Sequence, residues 1–180
     1  MQPSPIVIGK QRDAFRLAND LTMDLTSGST IYSTIQVIFD RGNTQVPDHV
    51  RTSVTRMCLF HVILTLAKWT EFYDRYKDVI PSGVRDIAKR LRKDILARGI
   101  LVFRNKVVGH VWDEEHRRAL TNAEVEGRLN AFIGSGVKEF LKWAADPDPV
   151  TDTNRPLVVI EAVRDAIRST YHLTDADLHR

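Results

Sequence analysis

The chain has 180 residues, 43% hydrophobic and 27% charged, with 26 basic and 23 acidic side chains and a formal net charge of +3. That balance excludes a disordered chain, and the length suits one domain with its own core. The single cysteine, Cys58, excludes an internal disulfide framework and any multi-cysteine zinc site.

The first helical pattern runs from about Lys10 to Asp40, with Phe15, Leu17, Leu21, Leu25, Ile31, Ile35 and Ile38 near helical spacing. Ser27-Gly28-Ser29 is a candidate kink or break, and Arg41-Gly42-Asn43 a candidate stop. A second helix starts at Pro47-Asp48 and reaches about Lys77, since proline suits a first turn and aspartate the positive end of the dipole. Its middle, Met57 to Leu66, is apolar almost all round, which predicts a central position. The stretch Met57 to Ala67 is broken by His61 and Thr65 and is about half the ~20 residues of a bilayer span. The amino terminus lacks the basic and apolar regions of a signal peptide, so a soluble cytoplasmic protein with no membrane partner is expected.

Pro81-Ser82-Gly83 opens a third helix, whose stripe of Val84, Ile87, Leu91, Ile95 and Val102 continues to about Val111. Gly99 falls on that stripe, where it would allow a close helix approach. Thr121-Asn122-Ala123-Glu124 is a capping-box pattern opening a fourth helix, which ends before Asp146 and contains Gly134-Ser135-Gly136 as a notch or weak point. A fifth helix starts near Asn154-Arg155-Pro156, with Leu157, Ile160, Val163, Ile167 and Tyr171 on its apolar face. No strand pattern of useful length is present. The expectation is a single all-α domain over 1–180, an antiparallel bundle of four to five helices. Its core spans about 10–172, with loose tails at 1–9 and 173–180.

The charge is uneven. Between Arg85 and Lys106 eight basic residues face two acidic ones, a net of +6 in 22 residues. This is a candidate phosphate-facing surface, weighed against a solvated helix face.

At its end stands Arg104-Asn105-Lys106-Val107-Val108-Gly109-His110. The bare spacing of an arginine four to six residues before a histidine carries little information. With 18 arginines and six histidines, roughly 1.8 matches arise by chance. Arg56 and His61 are one, with the apolar Met57 after the arginine. Arg104 is followed by the polar Asn105 and closes the basic run.

This segment resembles the signature of the HEPN superfamily (higher eukaryotes and prokaryotes nucleotide-binding domain): arginine, a polar residue, and a histidine at this distance. The resemblance implies an all-α, usually dimeric bundle. Many such proteins are metal-independent ribonucleases of toxin–antitoxin, abortive-infection or CRISPR defence systems. It implies RNA as substrate, a homodimer, a cognate antitoxin as candidate partner, and no cofactor or metal. A neutral imidazole at His110 suits removal of a 2′-hydroxyl proton, and Arg104 can bind phosphate oxygens through two hydrogen bonds. Asn105 would orient either group, with Lys93, Arg98 and Lys106 guiding the backbone. On a straight helix Arg104 and His110 stand about 120° and 9 Å apart, so a bend or a second subunit has to complete the site. Some HEPN toxins carry a tyrosine two residues after the histidine, modified with AMP by a partner; here Trp112 stands there.

The alternative is a non-catalytic helical module that binds nucleic acid, nucleotide or a protein. An Arg104 facing an open basic cleft favours catalysis; one paired to a carboxylate away from any cleft favours the module. Other signals are discounted. His110, Asp113, Glu114 and His116 are too few for a bundle metal site and read as local salt bridging. Cys58 reads as a small buried residue, His61 as a satisfied core histidine, and Trp69, Phe72, Tyr73 and Tyr76 as packing rather than base stacking.

Overall fold

A computed structural model describes residues 5–41, 46–105, 112–113, 117–134, 136–146 and 154–178. Among the described residues seven α-helices follow in order: α1 Pro5–Arg41, α2 Asp48–Tyr76, α3 Ser82–Ala97, α4 Ile100–Phe103, α5 Asn122–Ile133, α6 Val137–Ala145 and α7 Pro156–Thr170. Between α4 and α5, β1 (Trp112–Asp113) pairs antiparallel with β2 (Arg118–Ala119), Trp112 opposite Ala119. The fold class is all-α, with this two-residue ladder as an addition the sequence did not signal.

α1 and α2 form an antiparallel hairpin. Cross-helix contacts run in opposite directions along the two elements: Lys10 to Asp78, Lys68 to Asp24, Gln36 to Thr55. α1 passes through Ser27-Gly28-Ser29 without a break, because Gly28 is where α2 comes closest. A Cβ there would lie 2.8 Å from Cγ2 of Val62 and 3.0 Å from Cδ2 of His61. Val62 is fully buried and stiff at χ1, so it cannot give way. Gly28→Ala is therefore expected to gain none of the ~1 kcal/mol that alanine usually brings to a helix. Overpacking of about 1–3 kcal/mol should outweigh it, leaving a lower urea midpoint; a raised midpoint would refute the close approach.

α2 is central, as its apolar middle predicts. Leu59, Val62, Ile63, Leu66 and Trp69 are buried among residues of the surrounding helices. By length and composition alone α2 could cross a membrane, with a mean hydropathy of 1.2 over its most apolar 18 residues. That exceeds the expectation drawn from Met57–Ala67 alone. A buried bundle helix shares the same composition. His61 is not a core residue: its side chain is 45% exposed and its Nε2 lies 3.0 Å from the Asp24 carbonyl oxygen. The aromatic run does pack inward, with Trp69 stacked on Phe72 at 5.1 Å.

The expected third and fourth helices are each split at glycine. α3 ends at Arg98, and Gly99 takes the left-handed conformation at φ +74°, its N–H donating to the Leu96 carbonyl. Nothing lies within 4 Å of its missing Cβ. Gly99 is thus a helix stop rather than a site of close approach, and no continuous helix reaches Val111. Gly134 at φ +66° and Gly136 at φ +136° separate α5 from α6 in the same way. α5 opens with the predicted capping box, the Thr121 hydroxyl accepting from the Glu124 amide. Arg118 adds two hydrogen bonds to that carboxylate, which with the cap hold Glu124 far below the usual carboxylate range.

α7 packs on α1 and α3 through Leu157, Ile160, Val163 and Ile167, and Tyr171 donates its hydroxyl proton to the Val79 carbonyl. α1 already begins at Pro5, and the 3-10 turn Asp175–Leu178 is tied to α1 by Arg12 and Asp177 at 2.9 Å.

Candidate nucleic-acid site

The path to the motif begins at Gly99. The left-handed residue turns the chain into α4, and Phe103 at its end is buried. The Phe103 ring stacks on Phe132 of α5 at 4.8 Å and meets Phe60 of α2 edge-on at 6.1 Å. This three-helix aromatic contact fixes where the next residue leaves the core.

That residue is Arg104. Its Nη1 lies 3.0 Å from Oε1 of Glu71 on α2, with the two side chains 31% and 60% exposed. Its Nε is shielded from solvent and has no hydrogen-bond partner. Asn105 follows and is exposed. Lys106, Gly109 and His110 lie outside the described residues, as do Glu114 and His116. The structure thus sets a partly exposed Arg104 against Glu71 with Asn105 exposed after it, and His110 lies outside the described residues. The straight-helix geometry drawn from the sequence falls on residues that lie, after Asn105, outside the described ones; Trp112 stands in β1.

The basic run divides by use. Arg85 donates from Nε and Nη2 to the Ile80 carbonyl. Arg92 pairs with Asp74 at 2.8 Å. Arg98 stacks its guanidinium 3.9 Å over the Trp143 ring of α6. Lys89, Arg90 and Lys93 stand exposed on the outer face of α3, interspersed with Asp86 and Asp94, and make no ion pair among the described residues. The phosphate-facing surface read as +6 is therefore thinner than the count implies: half of its eight cations already hold the protein's own structure.

An open groove of about 510 Å³ runs between α4 and α5; Arg104, turned to Glu71 of α2, is not among its lining residues. Arg98 and Arg128 line it together with Val102, Phe103 and Phe132. Lys93 is not among its lining residues, so Arg98 and Lys93 serve different surfaces. Arg128 and the floor aromatics were absent from the sequence reading, because they join Arg98 only through the packing of α5 on α4.

Among the described residues no group of three His, Cys, Asp or Glu side chains could hold a metal ion. Cys58 is buried, and burial pushes its thiol up, away from nucleophile chemistry.

No family model and no curated protein matches the chain. Among solved structures it is similar to the integron cassette protein Vpc_cass2 from the mobile metagenome of V. paracholerae. The TM-score is 0.70 at 24% identity, covering 93% of this chain and 98% of that one. The likeness is one of fold.

Proposed function

We propose that the chain is a metal-independent RNA endonuclease of HEPN type. His110 would take the 2′-hydroxyl proton; the 2′-oxygen then bonds to the adjacent phosphorus and the bond to the 5′-oxygen breaks. The products are a 2′,3′-cyclic phosphate and a 5′-hydroxyl, with solvent supplying the leaving group's proton. Arg104 would bind the phosphate oxygens and the charge that develops on them, with Asn105 as orienting residue and Lys106 and Arg98 guiding the backbone. The observation that carries the reading is the groove with Arg98 and Arg128 on its walls, lined also by Phe103, the residue before the partly exposed Arg104. Arginine and aromatic side chains along one open groove suit a single strand. The reading includes a cytoplasmic homodimer, a cognate antitoxin, and a role in prokaryotic defence or as a toxin.

The test is cleavage of end-labelled, mixed-sequence RNA in excess EDTA by the wild type and by Arg104→Ala/His110→Ala. Loss of cleavage in the double variant supports the proposal; equal cleavage by matched preparations refutes it.

One observation favours the alternative, a non-catalytic nucleic-acid-binding module: Arg104 is already paired with a carboxylate. Such a module would hold RNA with a steep salt dependence and leave it intact.

The Glu71 pair makes its own prediction. A half-exposed ion pair contributes about 0–1 kcal/mol to stability, so its main use would be to aim the guanidinium. Glu71→Ala should lower the cleavage rate by up to about 100-fold, the scale of a misplaced catalytic group, at nearly unchanged thermal stability. Glu71→Gln, which can still accept the hydrogen bond, should recover most of the rate. Equal rates in all three proteins would remove Glu71 from the site.

A further inference from the structure

A second groove, of about 330 Å³, lies across the molecule's other helix junction, where α1 and α2 meet α5 and α6. Its floor is apolar: Leu59, Leu129 and Ile133 are buried and Val137 closes one end. Its walls are polar and carry three charged side chains, Arg51 and Arg56 from α2 and Glu126 from α5.

The state of those charges is informative. Arg51 also lines the groove but is engaged: it pairs with Asp40, donates to the Phe39 carbonyl at 3.0 Å and lies over the Phe39 ring. Arg56 is different. Its hydrogen bond goes to a neutral group, Oδ1 of Asn122 at 3.4 Å, and no carboxylate neutralises it among the described residues. Glu126 has neither a hydrogen-bond nor an ion-pair partner among the described residues. The two do not pair with each other although they line one groove. Asn122 and Glu126 are four residues apart on α5, so their Cβ atoms stand roughly 6 Å apart on one face of that helix.

We propose that this groove binds a small zwitterion with an apolar body, of the class of a large apolar α-amino acid. Its carboxylate meets Arg56, its ammonium meets Glu126, and its side chain lies on the Leu59–Leu129–Ile133 floor. An unneutralised cation and an anion lining one groove over an apolar floor match the head groups and body of such a molecule, whereas a simple anion would leave Glu126 repelling it. Burial pushes the Tyr32 phenol up, so its hydroxyl stays protonated at neutral pH and can donate to the bound carboxylate. The site is independent of the RNA reading: it shares no residue with the α4–α5 groove and does not include Arg104.

The test is titration calorimetry of the full chain with three probes: L-phenylalanine, its methyl ester, and N-acetyl-L-phenylalanine. Saturable one-site binding of L-phenylalanine is expected. The ester, which lacks the anion, and the acetylated form, which lacks the cation, should each bind at least about tenfold more weakly. In Arg56→Gln the gap between the amino acid and its ester should close; in Glu126→Gln the gap to the acetylated form should close. Both positions are partly exposed, and a thermal midpoint within a few degrees of wild type confirms folding of each variant. Absence of saturable binding of L-phenylalanine overturns the proposal. So do equal affinities for all three probes, which would describe a merely apolar groove, and affinities that neither substitution changes.

Discussion

Replacing Arg104 with alanine is expected to lower the RNA-cleavage rate by about 10²–10³ while leaving stability almost unchanged. Two magnitudes decide this. The pair with Glu71 is solvent-screened, since its side chains are 31% and 60% exposed, and such pairs contribute about 0–1 kcal/mol. The Nε proton is shielded and unpartnered, so its removal relieves a desolvation cost rather than breaking a bond. Against this, removing one donor to a developing oxyanion costs about 2.7–4 kcal/mol of transition-state stabilisation. Arg104→Lys keeps the charge but not the two-pronged geometry and should fall between. Rates from single-turnover cleavage in excess EDTA, set beside urea midpoints, check both halves. An unchanged rate for Arg104→Ala would mean that the arginine serves only its pair with Glu71.

Phe103→Ala is expected to cost about 3–5 kcal/mol, the usual range for emptying a buried phenylalanine site. Phe103 is buried where α2, α4 and α5 meet, stacked on Phe132 and edge-on to Phe60. Those ring contacts add about 0.5–1.5 kcal/mol each beyond area burial. Against a total stability of about 5–15 kcal/mol for a domain, this is a large fraction. Phe103→Leu keeps most of the volume and should lose about 1.5 kcal/mol. Because Arg104 leaves the core directly after this ring, the leucine variant should also cleave more slowly than its stability loss explains. Urea unfolding of the two variants gives the energies; a loss under about 1 kcal/mol for the alanine form would show that the ring does not anchor the segment.

The glycines explain where the fold was legible in the chain and where it was not. Capping chemistry is local, so Pro47, Pro81, Thr121 with Glu124, and Pro156 marked their helix starts correctly. Glycine is ambiguous because one residue type serves two purposes. At Gly99, Gly134 and Gly136 it supplies a positive φ and ends or separates helices. At Gly28 it makes room for Val62 and the helix runs on. The difference lies in what stands opposite, which only tertiary structure reveals. For that reason two expected helices became four, and one expected break was absent.

The site was legible only as far as contiguous residues carry it. Arg104 and Asn105 are candidates that spacing and polarity single out. Glu71 was not, since it stands 33 residues away on another helix and nothing in its neighbours marks it. Arg128 and Phe132 join Arg98 through helix packing alone. Arg56 was weighed only as a chance match with His61; it lies instead in a groove with Glu126, while His61 turns to the Asp24 carbonyl.

The most direct measurement is the end-group chemistry of RNA fragments produced in excess EDTA by the wild type and by His110→Ala. Attack by the 2′-hydroxyl predicts 2′,3′-cyclic phosphate on one fragment and a 5′-hydroxyl on the other, with both lost in the variant. Fragments ending in 5′-phosphate and 3′-hydroxyl, or cyclic-phosphate products persisting in His110→Ala, would contradict the mechanism. RNA bound but left intact by the wild type would make the chain a binding module.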